Sequence, residues 1–224
     1  MTQNLCLFDL DHTLLPIDSD HAWGEFAIRQ GWVDAESYRA GNNAFYARYQ
    51  AGTLDIHEYI DYCTRPWRDR PAGELAAAHD RFMSEDILPV VRPEARDLVR
   101  RHQDAGDLVA IITATNEFIT APIGPVFGVD TVLAVRLERD AAGRVTGRIA
   151  GTPSFREGKV TRTHEWLAGL GRRLEDFERV YMYSDSANDL PLMEMATHPV
   201  ATNPAPSLDT LARERDWPIL HLFP

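Results

Sequence analysis

The sequence has 224 residues, 44% of them hydrophobic and 25% charged, a composition typical of a globular protein with one full-sized domain and a smaller one. Its 34 acidic residues outnumber 23 Lys and Arg residues, and the resulting formal net charge of −11 disfavours nucleic acids and anionic membranes as partners. Two cysteines without metal-ligand spacing, no signal-peptide pattern and no membrane-spanning stretch lead us to expect a cytoplasmic protein without disulfides.

The first predicted element is a short buried strand that ends in two carboxylates. Leu5–Phe8 is an apolar run, and Asp9 and Asp11 follow it one residue apart, so their side chains project to the same side of an extended segment. Adjacent buried carboxylates repel each other unless a cation neutralises them, and ligands that are all oxygen suit Mg²⁺. One carboxylate can attack phosphorus while the other moves a proton. The competing interpretation is an Asx-type turn in which Asp11 and Thr13 satisfy backbone groups.

A helical segment follows this strand. Four stretches have helical periodicity and are separated by glycine and proline residues, with no strand pattern between them. They are His21–Gln30, Ala35–Gln50, Ile56–Cys63 and Glu74–Phe82. We therefore predict a small all-helical domain at residues 16–85, inserted into an α/β core domain formed by residues 1–15 and 86–224.

The remaining chain alternates between predicted strands and helices. The strands are Leu108–Ile112, Val180–Tyr183, Pro199–Thr202 and Pro218–Leu222, and the helices are Pro93–Gln103, Glu117–Pro125, Lys159–Leu167, Leu190–Ala196 and Leu208–Arg215. Residues 132–137 and 144–149 are predicted to pair as a β-hairpin. This pattern predicts a Rossmann-like parallel sheet with helices on both faces, in which ligands bind at the carboxyl ends of the strands. Asp9, Thr113 and Asp185 each follow an apolar strand, so all three should gather at that edge.

Three later motifs contribute further candidate residues for binding or catalysis. The hydroxyl of Thr113 can donate to a phosphoryl oxygen, although threonine also ends strands for structural reasons. Lys159 is the single lysine among 23 basic residues, which indicates a site that needs a compact ammonium charge; a solvated lysine in a first helical turn is the alternative. Asp185 and Asp189 flank Asn188 after another apolar strand and could bind a cation, or could form a helix N-cap.

These motifs resemble those of the haloacid dehalogenase-like hydrolases, which are mostly phosphatases. The four matching segments, in the order that the family requires, are Asp9 to Leu14, Thr113, Lys159 and Asp185 to Asp189. The resemblance implies that Asp9 attacks phosphorus to form an aspartyl-phosphate. It implies that Asp11 protonates the leaving alcohol and then deprotonates water, while Thr113 and Lys159 hold the transferring phosphoryl group.

The resemblance also implies Mg²⁺ as cofactor. Its expected ligands are Asp9, Asp185 and the backbone carbonyl of Asp11. Asp189 is expected to act through water or by orienting Lys159.

Two positions depart from the family pattern. Ala114 and Thr115 stand where many amino-acid phosphatases of the family carry glycines, and Ser184 stands where the family usually has glycine. The first departure leaves the shape of the phosphate cradle and the class of substrate open.

The helical segment and the hairpin resemble the cap and flap of the phosphoserine phosphatase-like branch of this family. A cap that closes over the site excludes water and bulky substrates, so the expected partner is a small phosphate ester. Members of that branch place an acid shortly after the first motif to bind a substrate amine, and Asp18 is the candidate here. Asn116 and Asn188 are further candidates for substrate binding.

The sequence therefore predicts a Mg²⁺-dependent phosphomonoesterase. Its substrate is expected to be a small metabolite of the amino-acid type, such as phosphoserine, or of the amino-alcohol type, such as histidinol phosphate. A phosphotransferase or mutase with the same Asp9 intermediate is the first alternative. A non-catalytic phosphate-binding regulator is the second, and the complete set of four motifs disfavours it.

Overall fold

The computed structural model describes residues 3–223, which form a six-stranded sheet, a two-stranded hairpin and nine α-helices. In chain order these elements are β1 (Leu5–Phe8), α1 (Ser19–Arg29), α2 (Ala35–Gln50), α3 (Ile56–Thr64), α4 (Ala72–Phe82), α5 (Pro93–Asp104), β2 (Leu108–Asn116), α6 (Glu117–Thr120), β3 (Val132–Val135), β4 (Leu137–Arg139), β5 (Val145–Ile149), α7 (Glu157–Gly169), β6 (Val180–Ser184), α8 (Leu190–Met195), β7 (His198–Thr202), α9 (Pro206–Glu214) and β8 (Ile219–Leu220). The sheet has the order β3-β2-β1-β6-β7-β8, and its paired strands are parallel. The predicted α/β, Rossmann-like fold is confirmed.

The central strand β1 is buried on both faces. Because successive side chains of a strand point to opposite sides, Cys6 and Phe8 pack into one apolar cluster, and Leu5 and Leu7 pack into another. The first cluster also contains residues of α1 and α3–α5, whereas the second contains residues of α7, α8 and α9. Helices therefore cover both faces of the sheet, which leaves the edge formed by the carboxyl ends of the strands as the place for a ligand site.

Four helices, α1 to α4, lie between β1 and α5, as predicted. The first three begin at Asp18, Asp34 and Asp55, whose carboxylates accept hydrogen bonds from backbone N–H groups of the first turn. The ring of Trp67, which follows α3, stacks on Phe118 of α6 with centroids 3.8 Å apart and so joins this helical segment to the sheet. The boundary of a separate cap domain at residues 16–85 stays a prediction. None of the helices in the described range is long and apolar enough to cross a membrane.

Two predicted elements are wrong. Residues 132–137 do not form the first strand of the hairpin: β3 joins the main sheet beside β2, and the hairpin pairs β4 with β5. The apolar run of β3 suits a strand packed in a parallel sheet. The predicted helix Glu117–Pro125 ends early, at Thr120, and a 3₁₀ turn, Gly124–Phe127, follows. Pro122 and Pro125 lack the N–H groups that a continuous helix needs.

Candidate active site

The carboxyl ends of three neighbouring strands meet at one edge of the sheet. Phe8, the last residue of β1, pairs with β2 on one side and with Tyr183 of β6 on the other. The backbone N–H of Asp9 continues this ladder by donating to the Tyr183 carbonyl at 2.9 Å. The register thus brings Asp9 beside the ends of β2 and β6, which carry Thr113 and Asp185, as the sequence predicted.

Lys159 lies buried in the first turn of α7 and joins two acids. Its Nζ donates to Asp9 Oδ1 at 2.8 Å and to Asp189 Oδ2 at 2.7 Å, and its side chain is 1% exposed. Burial alone would lower the pKa of this ammonium group, but attraction and hydrogen bonds from Asp189 and Asp9 raise the pKa above its usual value. Lys159 is therefore a fixed, fully charged cation, and the alternative of a solvated lysine is wrong.

Asp189 is in direct contact with this cation, which is one of the two placements that the sequence suggested. Ser184 Oγ donates to the same Asp189 oxygen at 2.8 Å and accepts the backbone N–H of Ser186 at 3.1 Å. Ser184, which replaces the usual glycine, therefore helps to position Asp189, and Asp189 in turn positions Lys159. A motif comparison treats this position as a small residue and gives no signal of its hydrogen bonds.

Asp9 and Asp185 converge on the hydroxyl of Thr13. Thr13 Oγ1 lies 3.3 Å from Asp9 Oδ2 and 3.3 Å from Asp185 Oδ1, and it accepts the Asp185 N–H at 3.0 Å. One hydroxyl hydrogen can serve only one of the two carboxylates at a time. Burial raises the pKa of Asp9 to about 7, although Lys159 attracts the negative charge. Burial also raises the pKa of Asp185, and repulsion from Asp9 adds to the effect.

This arrangement of acids fits a divalent cation. Asp9 and Asp185 offer only oxygen atoms, which are the ligands that Mg²⁺ prefers. Three carboxylates, those of Asp9, Asp185 and Asp189, lie around the single positive charge of Lys159, so this lysine alone does not balance them. Asp11 lines the same cavity as these two acids, so it also lies near this point.

Asp11 is held by a hydrogen bond at each carboxylate oxygen. The backbone N–H of Ser19, at the start of α1, donates to Oδ1 at 2.8 Å, and Thr115 Oγ1 donates to Oδ2 at 2.7 Å. Burial, with repulsion from Asp18, raises the pKa of Asp11 to about 6 against the effect of these hydrogen bonds. The carboxyl group is thus fixed in position and able to exchange a proton near neutral pH, which suits an acid–base role.

Thr113 and Thr115 form the third wall of this site. Thr113 is 1% exposed, and its Oγ1 accepts the backbone N–H of Thr115 at 3.1 Å. Both residues line the cavity together with Ala114. The segment that departs from the glycine pattern therefore supplies a second hydroxyl, and this hydroxyl positions Asp11.

A cavity of about 640 Å³ adjoins these residues, which is within the range of small-molecule sites. Its lining comprises the acids at the sheet edge and residues of α1, α2 and the segment before α3, and we call the part lined by α1 the α1 end. Of the proposed site residues, those that line it are Asp9, Asp11, Asp18, Thr113, Asp185 and Asn188. Residues of the helical segment therefore cover the phosphatase-like motifs of the core.

The structure does not bring Asn116 to this cavity, so its predicted substrate contact is not supported. Its side chain is fully buried, where Oδ1 accepts the N–H of Ile119 at 3.4 Å and Nδ2 contacts Cys63 Sγ at 3.9 Å. Asn116 caps the short helix α6, a role for which asparagine is well suited.

Asn188 does line the cavity, but its side chain binds other parts of the protein. Its Oδ1 accepts Arg156 Nε at 3.2 Å, and its Nδ2 donates to the Tyr49 carbonyl at 3.3 Å. Arg156 also donates to the carbonyl of Gly52 and has a positive φ of 51°, which is rare for a residue with a side chain. These contacts join the helical segment to the core beside the cavity.

Two acids at the α1 end of the cavity, on either side of the Ser19 that binds Asp11, differ in their surroundings. Asp18 Oδ1 accepts the N–H of His21 at 2.9 Å and so caps α1, as well as lining the cavity. Asp20 is 6% exposed, and its Oδ2 has no hydrogen-bond partner. Burial and repulsion from Asp18 and Asp11 raise its pKa well above the usual value, although the Tyr59 hydroxyl favours the charged form. The sequence suggested Asp18, whereas the unpartnered oxygen belongs to Asp20.

Comparison with known proteins identifies relatives across the whole chain. The family model for haloacid dehalogenase-like hydrolases matches residues 6–194. A histidinol-phosphatase from Neisseria meningitidis serogroup C is 45% identical over 219 residues, which are 98% of this chain and 99% of that protein. The phosphoserine phosphatase SerB1 from Mycobacterium tuberculosis is 34% identical over 150 residues, 67% of this chain and 47% of that protein.

Solved structures also align with all or nearly all of the chain. A protein of unknown function from Bordetella pertussis Tohama I aligns over 100% of both chains, with a TM-score of 0.93 and 47% identity. A substrate-bound phosphoserine phosphatase complex aligns over 98% of this chain and 93% of that chain, with a TM-score of 0.69 and 19% identity, which is a likeness of fold. With all four motifs inside the matched residues, the chain belongs to the haloacid dehalogenase-like hydrolases, and it is a phosphatase of that family.

Proposed function

We propose that this phosphatase is a Mg²⁺-dependent phosphomonoesterase that forms an aspartyl-phosphate on Asp9. The observation that carries the proposal is the contact between Asp9 and the buried Lys159, with Asp185 on the other side of Thr13. A carboxylate beside a fixed cation and an acidic, oxygen-only site is suited to receive a phosphoryl group.

Each residue at the sheet edge has a separate task in this mechanism. Asp9 attacks phosphorus in line, and Lys159 and the Thr113 hydroxyl stabilise the charge on the transferring group. Asp11, fixed by Ser19 and Thr115, protonates the leaving alcohol and then takes a proton from the attacking water. When bound at Asp9, Asp185 and the Asp11 carbonyl, Mg²⁺ supplies positive charge for the phosphoryl oxygens. Asp189 keeps Lys159 in place.

The α1 end of the cavity supports a substrate whose alcohol portion carries a positive charge. Asp18 and Asp20 both line that end, and Asp20 has an oxygen without a partner. A substrate carboxylate would need a cationic partner such as arginine. Among the described residues that line the cavity the arginine is Arg156, and its side chain already donates to Asn188 and to the carbonyl of Gly52. These surroundings favour an amino-alcohol phosphate over an amino-acid phosphate such as phosphoserine. The 45% identical relative named histidinol-phosphatase supports the same choice, with histidinol phosphate as the example.

A substrate panel tests this proposal. We expect phosphate release from histidinol phosphate and from an aryl phosphate in the presence of Mg²⁺, loss of both activities with EDTA, and slower turnover of phosphoserine. Activity that survives complete metal removal would contradict the metal requirement, and preference for phosphoserine would contradict the substrate class. If added acceptor alcohols captured most of the phosphoryl group, the chain would be a phosphotransferase using the same Asp9 intermediate.

A further inference from the structure

Three side chains of different chemistry converge on the opposite part of the central strand from the phosphatase site. Cys6 of β1, His102 of α5 and Asp107, just before β2, contact one another at 2.9 Å (Sγ to Nδ1), 2.8 Å (Nδ1 to Oδ2) and 3.6 Å (Sγ to Oδ2). A single ring hydrogen on Nδ1 cannot point at both the sulfur and the carboxylate oxygen, and the thiol hydrogen of Cys6 can point at only one of its two neighbours. Hydrogen bonding therefore leaves one of these close contacts without a proton, whereas a cation in their midst would serve all three atoms.

The other polar atoms of this cluster are held by outer partners. His102 Nε2 lies 2.8 Å from the Tyr183 hydroxyl, and Asn4 Nδ2 donates to Asp107 Oδ1 at 2.9 Å. These contacts orient the imidazole and the carboxylate so that Nδ1 and Oδ2 face Cys6. Metal-binding histidines and carboxylates are commonly fixed by hydrogen bonds of this kind on the atom that does not bind the metal.

We propose that Cys6, His102 and Asp107 bind a transition-metal ion of the Zn²⁺ class, with water as a further ligand. A thiolate and an imidazole select such ions over Mg²⁺, and the charges of one thiolate and one carboxylate balance a divalent ion. Zinc bonds of about 2.0–2.3 Å place ligand atoms roughly 3.3–3.7 Å apart in a tetrahedron, so the two shorter contacts, at 2.9 and 2.8 Å, would each lengthen by roughly 0.5–0.7 Å on binding.

This site is separate from the proposed magnesium site. Cys6 precedes Asp9 by three residues of β1, roughly 10 Å along an extended strand. Cys6 is fully buried, while the side chains of His102 and Asp107 are 14% and 6% exposed, so an ion can reach the cluster past these two residues. A bound ion would connect β1, α5 and the segment that begins β2. This cluster has no metal-ligand spacing along the sequence, because His102 follows Cys6 by 96 residues.

Cobalt(II) titration of the full chain in excess Mg²⁺ tests the proposal, because a thiolate ligand gives an intense near-ultraviolet charge-transfer band that oxygen ligands do not give. We expect one equivalent of Co²⁺ to produce this band, Zn²⁺ to abolish it, and binding to release the thiol proton. Cys6→Ser should lose the band. Cys63→Ser, which changes the other buried cysteine, should keep it.

Two further variants keep the test decisive if Cys6→Ser does not fold. Asp107→Asn and Tyr183→Phe should retain the band but weaken Co²⁺ binding at least about tenfold, since one removes a ligand charge and the other removes the partner of Nε2. A wild-type protein without the band would overturn the proposal. So would a band that persists in Cys6→Ser, or unchanged affinity in both of the other variants.

Discussion

The sheet edge and the α1 end of the cavity differ in whether their buried acids have a positively charged partner in the protein. At the sheet edge, Asp9 and Asp189 share the buried Lys159, whose distances to both are those of charge-assisted hydrogen bonds. At the α1 end, Asp20 is equally buried, but one of its oxygens has no partner and repulsion from Asp18 adds to the cost of its charge. The sheet edge therefore holds a cation of its own in Lys159, whereas Asp20 keeps an oxygen without a partner, as the proposed binding of a positively charged substrate group requires.

The first way to test this difference is to remove the nucleophile. Asp9→Asn should lower turnover at least about 10⁴-fold, because an amide cannot attack phosphorus at a useful rate. The fold should persist, since Lys159 keeps its contact with Asp189. Phosphate release and circular dichroism measure the two effects. Asp97→Asn, at an exposed position of α5, is the matched control and should keep full activity.

Retained Mg²⁺-dependent activity in Asp9→Asn, above the level of a mock purification, would rule out the aspartyl-phosphate mechanism. It would also remove the reason for placing the chemistry at the sheet edge.

Removing the buried cation should damage both activity and stability. Lys159→Met leaves Asp9 and Asp189 facing each other without a positive charge, so we expect a loss of about 10²–10³-fold in turnover and about 3–5 kcal/mol in the free energy of unfolding. Urea denaturation and phosphate release measure these changes. The double variant Lys159→Met with Asp189→Asn should regain part of the stability but none of the activity. Equal instability of the two variants would show that the charge balance is not the cause.

The sequence predicted the sheet-edge residues because order along the chain and strand ends determine them. Asp9 and Asp185 each follow an apolar strand, Thr113 follows the apolar part of β2, and strands of a parallel sheet end at a common edge. Lys159 was predicted from its being the single lysine and from its place in the motif order. The α/β fold followed from the same alternation of strands and helices, which is a local property of the sequence.

The residues that the sequence did not identify depend on geometry that a local pattern does not contain. Asp18 and Asp20 are two residues apart, and the exact start of α1 decides which carboxylate caps the helix and which remains without a partner. The positive φ of Arg156 has no sequence signal, because it is not a glycine. Thr115 replaces an expected glycine, and its bond to Asp11 depends on how β2 lies beside the first motif.

Asp11→Asn tests the acid role of Asp11 through the leaving group of the substrate. Turnover of an alkyl phosphate should fall about 10²–10⁴-fold, because its leaving alcohol needs a proton, whereas an activated aryl phosphate should lose much less in the first step. Burial raises the pKa of Asp11 to about 6, so in the wild type the protonated form, and with it alkyl ester cleavage, should decrease as pH rises above 6. The variant should lack this decrease. Equal losses for both ester types, measured by single-turnover kinetics, would contradict the acid role.

The smallest effect is expected at the α1 end, where removal of charge should stabilise the protein. Asp20→Asn removes a buried acid whose Oδ2 lacks a partner, so the free energy of unfolding should rise by about 1 kcal/mol in the absence of substrate. The raised pKa of Asp20 means that the folded state holds the proton to higher pH than the unfolded chain, so the wild type loses stability as pH rises above about 4 and the advantage of the variant should grow with pH. Urea denaturation at several pH values measures this trend.

The same variant separates binding from chemistry. Asp20→Asn should raise KM for histidinol phosphate about tenfold, because the positive charge of the substrate loses its partner. It should leave kcat for histidinol phosphate nearly unchanged, as well as KM for an aryl phosphate whose aryl group is uncharged. Asp18→Ala is the matched comparison: it removes the side chain that caps α1, so it should lose about 1 kcal/mol of stability. A destabilised Asp20→Asn variant with the wild-type KM for both esters would contradict this role. The charge of Asp20 would then be balanced by the protein itself and would have no part in substrate recognition.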